Sequence, residues 1–403
     1  MKKEIIFDWL HQEEQRQKSG INLIASENYA PQDVMSMVGS ALMNKYVEGY
    51  VGARYYSGCE FIDKIEEETI ARFKQLFKAE HVNVQPHSGS QANFAVYFAL
   101  LKPGDTVLSM QLSDGGHLTH GHKVNMSGAL YNIVSYGVDP ISEQIDYDAL
   151  ELLAAKHKPR LIIAGASSYP RTIDFARISA IAKSVGAYFL ADIAHIAGLV
   201  AVGLHPTPVG LADVVTMTTH KTFRGPRGGV ILCDQSLASS IDKAVMPGTQ
   251  GGAFAHEIAA KGIACAHAAQ PDFYQYQQRV LEHAKTMADC FKNYGYKVIA
   301  HGTDTHLLLV DVRPLALSGK DVEKLLESVG IFVNRNAIPF DSLPPLQGGG
   351  IRIGTSAITT RGATKQDCKE IVDIIHAVLQ QRGKMLDIGS FLPKVHAITN
   401  RWN

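Results

Sequence analysis

The chain has 403 residues, 46% of them hydrophobic, enough to bury a large core and to predict two domains plus an arm. Lysine plus arginine and aspartate plus glutamate are equal at 39 each, so the charge balance gives no general electrostatic reason to expect nucleic acid or an anionic membrane as partner. No apolar run reaches the roughly 18 residues that span a bilayer, and the opening MKKEIIFDWLHQEEQRQKSG, broken by Asp8, Glu13 and Glu14, does not read as a signal peptide. Cysteines 59, 233, 265, 290 and 368 are scattered and odd in number, which fits a reducing cytoplasm rather than a disulfide framework.

Residues 3–18 read as an amphipathic helix carrying Ile5, Ile6, Trp9 and Leu10, too short for a domain and expected as an arm on a partner subunit. The irregular stretch that follows, with NKYVEGYVGARYYSG, gathers Tyr46, Tyr50, Tyr55 and Tyr56 with Glu48 and Arg54; a packed surface loop is the plain alternative. Ile62, Ile65, Ile70, Phe73 and Phe77 recur at helical spacing and predict a helix over 63–78. From about Val82 strands and helices alternate: HVNVQ, a helix over 90–101, TVLSM, a helix over 148–156, RLIIAGAS, a helix over 178–185, AYFLADIAH, and the β-branched run from Val214. That run ends in His220, Lys221 and a Gly/Pro/Arg turn before a short strand over 230–233. Apolar strands separated by helices imply an α/β fold, a mostly parallel sheet covered on both faces. After Gln270 come a long helix over 274–293, strand signals at YKVIAH and HLLLVDVR, a helix after the cap Ser318, then IFVNRN, GIRIGTSA and a final helix over 365–381, a smaller α+β domain. The expected division is an N-terminal arm and inter-subunit segment over 1–56, a large domain over 57–270 and a small C-terminal domain over 271–403.

In open parallel sheets ligands gather at the carboxyl ends of strands. Lys221 is held at such an end, where a lysine that loses water can become a nucleophilic amine; taken alone, a solvated turn lysine is the commoner case. His87-Ser88-Gly89-Ser90-Gln91 precedes a helix and offers free amides and a positive dipole end to a phosphate, although ordinary capping would look the same. Asp192 closes an apolar strand just before His195, and a carboxylate there needs a cationic or N–H partner. Phosphate cup, carboxylate and lysine are the parts that hold pyridoxal phosphate: phosphate on the cup, pyridine nitrogen on Asp192, aldehyde carbon as a Schiff base on Lys221. Arg352 in GGGIRIG adds a guanidinium able to grip a substrate carboxylate in bidentate fashion. A metal hydrolase using His117, His120 and His122 with Asp192 and His195 is the rival, but no HExxH or cysteine pair supports it. A non-catalytic protein that kept the cofactor fold is a third reading, against which the complete set Lys221, Asp192 and Arg352 speaks.

The strings LIASEN, NKYVEGYVGARYY, NVQPHSGSQAN, GGHLTHG, DIAHIAGLV, TTHKTFRGPRGG, PGTQGG and GIRIGTSAITTRG occur in an order that resembles the serine hydroxymethyltransferase family, from about Leu23 to Gly362. The resemblance implies a fold-type I pyridoxal-phosphate transferase, a cytoplasmic homodimer with shared active sites, and tetrahydrofolate as cosubstrate. It implies Lys221 as the Schiff-base lysine and Asp192 on the pyridine nitrogen. His117 would stack on the ring, and His195 and Ser167 would bond its phenolic oxygen. Ser88, Gly89 and Ser90 would hold the phosphate, helped by Gly251 and Gly252 and by Tyr46 from the neighbouring subunit. Thr218 and His220 would join the catalytic set, His220 also touching the cofactor. Arg352, Ser26, Tyr56 and Arg227 would orient the substrate, and Glu48 would manage the proton on the serine hydroxyl or the folate. Leu112, Gly116, His117, Leu118, Asn336, Pro344, Pro345 and Leu346 would face the folate. Where the family has YYGG, QGGP, GTPA and SPF, this chain has YYSG, QGGA, GTSA and PPL, and its tail after Gly383 is unfamiliar. The change in the folate loop keeps an alternative open, an aldolase for β-hydroxy amino acids or a hydroxymethyltransferase for an α-substituted serine.

Overall fold

Among the residues described by a computed structural model, 4–381 and 387–402, the alternating strands build one seven-stranded sheet. Its strands in chain order are β1 (His81–Asn83), β2 (Thr106–Met110), β3 (Asn132–Tyr136), β4 (Leu161–Ala164), β5 (Tyr188–Asp192), β6 (Val214–Thr218) and β7 (Gly229–Cys233). They lie in the order β1-β7-β6-β5-β4-β2-β3, with β7 antiparallel to both neighbours and every other pair parallel. The chain steps outward from β2 to β3 and then returns past β2 to β4, so the strand order reverses at the β2/β4 junction, where ligand crevices of open sheets form. The loops after β2 and β4 meet there, the Ser167 amide donating to the Gly115 carbonyl at 2.7 Å.

β4, β6 and β7 are buried along their whole length, because helices cover them. Helix Gly89–Leu100 contributes Ala92, Ala95, Val96 and Tyr97 to a core shared with Val107, Leu161, Ile163, Leu190, Val214 and Ile231. Side-chain oxygens start the helices: Ser88 accepts from the Gln91 amide, Asp146 from Ala149 and Asp174 from Arg177. Lys158 and Gly186 end two of them at φ 43° and 70°.

The contacts divide the chain into two units, Asn28–Gln278, which holds this sheet, and Met1–Glu27 with Arg279–Asn403. The span 1–56 expected as an arm is thus divided between them. In the second unit β8 (Leu307–Asp311), β9 (Asn334–Asn336) and β10 (Gly350–Gly354) form an antiparallel sheet in the order β8-β10-β9, and Ile21–Asn22 pairs with Ile331–Phe332. Helices Gly319–Ser328 and Lys365–Gln380 begin at reciprocal caps, Ser318 with Asp321 and Thr364 with Asp367.

Several expectations need correction. YKVIAH makes no strand: Ala300 and His301 take φ 53° and 60°, leaving a single bridge from Val298 to Val310, while Ile299 and Ala300 turn inward onto Leu309 and Ile338. β3 and the helices Gln32–Val38, Ala255–Ala268 and Ile388–Thr399 were not expected. β3 lies at the sheet edge and is only partly buried, so its pattern is weak; Ala255–Ala268 is apolar nearly all round, which blurs the helical period. Gly383, where the unfamiliar tail begins, lies outside the described residues.

Candidate active site

The lysine turn is tied down on both sides of the side chain it presents. Thr219 Oγ1 donates to the Pro226 carbonyl at 2.5 Å and the Gly225 amide to the Thr219 carbonyl at 2.6 Å. The Lys221 carbonyl accepts from Asn28 Nδ2 at 2.9 Å and from the Arg224 amide at 3.1 Å, Arg224 standing at φ 62°. Thr222 Oγ1 donates to the His195 carbonyl at 2.8 Å and accepts from the Gly198 amide at 3.0 Å, which joins this turn to the loop after β5. Thr218 Oγ1 donates to the Ala194 carbonyl at 3.1 Å. Lys221 is half-buried, and so is His220, whose imidazole burial pushes down to about 3, helped by the charges of Lys221 and Arg227. His220 Nδ1 is shielded from solvent and has no hydrogen-bond partner among the described residues, so a ligand atom there would satisfy it. Arg227 is exposed.

Asp192, the last residue of β5, is enclosed by donors. Burial alone would raise its pKa, but the His120 hydrogen bond and charge, then His117 and Asn93, hold it far below the usual carboxylate range. Its Oδ2 accepts from His120 Nε2 and from Asn93 Nδ2, both at 2.9 Å, and its Oδ1 from the Ala194 amide at 3.0 Å. A carboxylate only accepts, so the Asn93 amide nitrogen must face it; Asn93 Oδ1 then accepts from Thr216 Oγ1 at 2.7 Å, and Nδ2 also reaches Thr119 Oγ1 at 2.9 Å. The His117-to-His120 turn is clamped as well, Tyr97 OH donating to the Thr119 carbonyl and Ser109 Oγ to that of His120. His117 Nδ1 accepts from the Thr119 amide at 3.2 Å and lies 2.7 Å from Thr119 Oγ1.

The sequence reading does not include Asn93 or Thr119 and gives His120 only as a candidate metal ligand. An asparagine in the apolar run ANFAVYF was the available signal. Among the described residues no group of three or more His, Cys, Asp or Glu could hold a metal ion.

At the end of β1, Ser88 and Gly89 are wedged between β6 and β7. A Cβ on Gly89 would come within 2.5 Å of Thr218 Cγ2, and one on Gly229 within 2.4 Å of the Ser88 carbonyl oxygen, so only glycines allow this closeness. The first amides of helix Gly89–Leu100, from Gly89 and Ser90, lack intrahelical acceptors by geometry and form an anion cradle. Cradle, ionised Asp192 and orphaned His220 Nδ1 fit pyridoxal phosphate.

A second group assembles around Gly251 and Gly252. The Val47 carbonyl accepts from the Ala253 amide at 2.8 Å, Glu48 Oε1 would lie 3.3 Å from a Cβ on Gly251, and the Tyr46 and Tyr56 rings meet edge to face at 5.0 Å. Tyr46 and Tyr56 are 56% and 45% exposed, wide open for residues expected to touch ligand. Ser167 and His195 stand after β4 and β5, and His195 is buried. Leu112, Gly116 and Leu118 belong to the loop after β2, with Gly116 packed so tightly that a Cβ would meet the Met110 carbonyl oxygen at 2.2 Å.

In the other unit Arg352 lies on β10, 9% exposed, its Nε donating to Asn334 Oδ1 at 3.0 Å, and burial lowers its pKa to about 10. Ser26 follows Ala25, whose backbone packs on Gly354 at the end of the same strand. Asn336 ends β9, and Leu346, in the loop with Pro344 and Pro345, is 78% exposed.

Compared with models of known protein families, the chain matches that of serine hydroxymethyltransferase over residues 1–375.

Proposed function

The chain belongs to the serine hydroxymethyltransferase family, and on that premise we propose which residues carry its reaction. That reaction moves the hydroxymethyl group of serine to tetrahydrofolate, giving glycine and 5,10-methylenetetrahydrofolate, with pyridoxal phosphate as cofactor. The cofactor supplies an electron sink for cleavage of the bond between Cα and Cβ of serine. Lys221 holds its aldehyde carbon, Ser88, Gly89 and Ser90 its phosphate, and Ser167, His195 and His220 its ring edge. Asp192, the observation that carries this reading, keeps a proton on the pyridine nitrogen because His120, Asn93 and the Ala194 amide keep the carboxylate itself ionised. His117 covers the ring face, its Nδ1 capped by Thr119.

Arg352 takes the substrate carboxylate, with Ser26, Tyr56 and Arg227 orienting it, and Glu48 moves the proton at the serine hydroxyl; Thr218 fixes the Ala194 backbone beside Asp192. Leu112, Gly116, Leu118, Asn336 and the loop 344–346 face the folate. The exposed Tyr46 and Tyr56 rings, and a helix Ile5–Ser19 on which Ile5, Ile6, Phe7, Trp9 and Leu10 are each at least 51% exposed, support a homodimer in which Tyr46, Glu48, Gly251 and Gly252 complete the partner's site. Five cysteines without a disulfide support a cytoplasmic setting.

Glycine formation from serine, with and without tetrahydrofolate, tests the reading, alongside threonine and phenylserine cleavage without it. The family's Ser and Phe are Pro344 and Leu346 here, a loss of one hydroxyl and one stacking ring that costs about one to two decades of folate affinity at most. Tetrahydrofolate is therefore expected to accelerate serine cleavage with a weakened apparent affinity. Indifference to folate at every concentration, with brisk cleavage of the other two amino acids, would replace transfer by an aldolase.

A further inference from the structure

The floor beneath the phosphate cup contains a lysine to which the reaction gives no part. Lys261, on helix Ala255–Ala268, is 1% exposed, and its ammonium donates to the carbonyls of Val84 at 2.7 Å, Gly229 at 2.9 Å and Pro86 at 3.0 Å. Among the described residues no carboxylate stands at ion-pair distance from it; burial lowers its pKa from 10.5 to about 7, opposed from farther away by Glu257 and Glu66, while the three carbonyls engage all three of its N–H donors. Burying a cation with only backbone partners is costly, so such a lysine is kept where its three donors meet a need that the backbone cannot fill.

That need is at the end of β1. Pro86 has no N–H to donate, and its carbonyl already takes the Gly229 amide at 3.0 Å, which draws β7 against the strand leading into Ser88. The carbonyls of Val84 and Pro86, two residues apart on an extended chain, face the same side and converge with that of Gly229 on one ammonium. Gln85, between them, faces the other way, its carbonyl accepting from Gln250 Nε2 at 2.7 Å. Gly228 makes the room: a Cβ there would meet Lys261 Cε at 2.3 Å and Nζ at 2.9 Å. The two glycines that close FRGPRGG thus have separate tasks, Gly228 clearing the ammonium and Gly229 clearing Ser88.

Resting on the cofactor assignment above, we propose that Lys261 is a positioning residue for the phosphate: it bolts the segment 84–86 to Gly229, so that Ser88, Gly89 and Ser90 present their amides as one preformed array to a dianion. An array already in place binds phosphate without the cost of ordering a loop.

The test is equilibrium binding of pyridoxal phosphate and of pyridoxal, which lacks the phosphate, to the full-length chain freed of cofactor, followed by the absorbance of the bound aldehyde. In Lys261→Met the affinity for pyridoxal phosphate is expected to fall at least about tenfold while that for pyridoxal changes less than about twofold, collapsing the preference for the phosphate. Gly228→Ala, which displaces the ammonium without removing it, provides a second variant should the first not fold, and is expected to lower the same ratio. Equal weakening of both ligands, or no change in either, would overturn the positioning role. A wild-type chain that binds neither aldehyde would instead overturn the cofactor assignment.

Discussion

Asp192 accepts three hydrogen bonds, one of them from a histidine, and that company decides its charge. Replacing it by asparagine leaves an amide that holds no compensating charge for a protonated pyridine nitrogen. Asp192→Asn is expected to lose turnover by at least about a hundredfold while keeping its circular dichroism; near-normal turnover would refute the role. The carboxylate's depressed pKa also stabilises the fold at neutral pH, and that contribution is lost as pH falls below the ordinary carboxylate range. His283 acts over a different window. It is 2% exposed, 2.8 Å from Thr359 Oγ1, and burial lowers its pKa from 6.5 to about 4. The unfolded chain then binds a proton between those values that the folded chain refuses, so stability is complete above about pH 6.5 and drains as pH falls towards 4, by about 3 kcal/mol in the limit. Denaturant midpoints measured across that interval should fall in the wild type and fall less in His283→Gln.

At the scale of elements, the helix Ile388–Thr399 is the least anticipated part and among the more deeply engaged. It inserts Phe391, Val395 and Ile398 into the core of the unit that holds β8 to β10, and Trp402 closes the end, its Nε1 donating to Asp367 Oδ2. Thr399 Oγ1 and the Arg361 guanidinium both reach carbonyls at the C-terminal end of helix Ile5–Ser19, Arg361 donating to Gln17 at 3.0 Å and Gly20 at 2.7 Å. These bonds supply donors that the last turn of a helix lacks, and they anchor a helix that otherwise buries none of its side chains. Phe391, 3% exposed, fills its site completely enough that Phe391→Ala should cost about 3 to 5 kcal/mol. The check is a lowered denaturant midpoint with an unchanged slope; a shift within error would show that the helix packs loosely.

For the whole molecule the expected consequence of open tyrosines and of the exposed apolar side chains on helix Ile5–Ser19 is an active site completed by a second copy. Lys221→Ala and Glu48→Ala should each be inactive alone, yet mixing them should restore activity, because one site of each hybrid dimer carries both native residues. Random exchange makes half the dimers hybrid, each with one intact site of two, so recovery should approach about one quarter of wild-type activity. Absence of recovery, with subunit exchange demonstrated by mass, would place all catalytic groups in one chain.

What the sequence by itself determined was local: burial period, caps and strand ends. The β-branched run over β6, the cap at Ser318 and the turn around Lys221 each follow from neighbours within a few residues, which is why they could be read without a structure. Only tertiary structure decided which distant groups meet. Asn93 reaches Asp192 across 99 positions and His120 reaches it across 72, while Lys261 reaches Val84 across 177. No periodicity records such meetings, because the strand order β1-β7-β6-β5-β4-β2-β3, rather than chain order, brings these groups together. YKVIAH shows the converse: its apolar residues fitted a strand, but Ile299 and Ala300 are buried against Leu309 and Ile338 in a turn, since burial of a short apolar run needs a core and not a ladder.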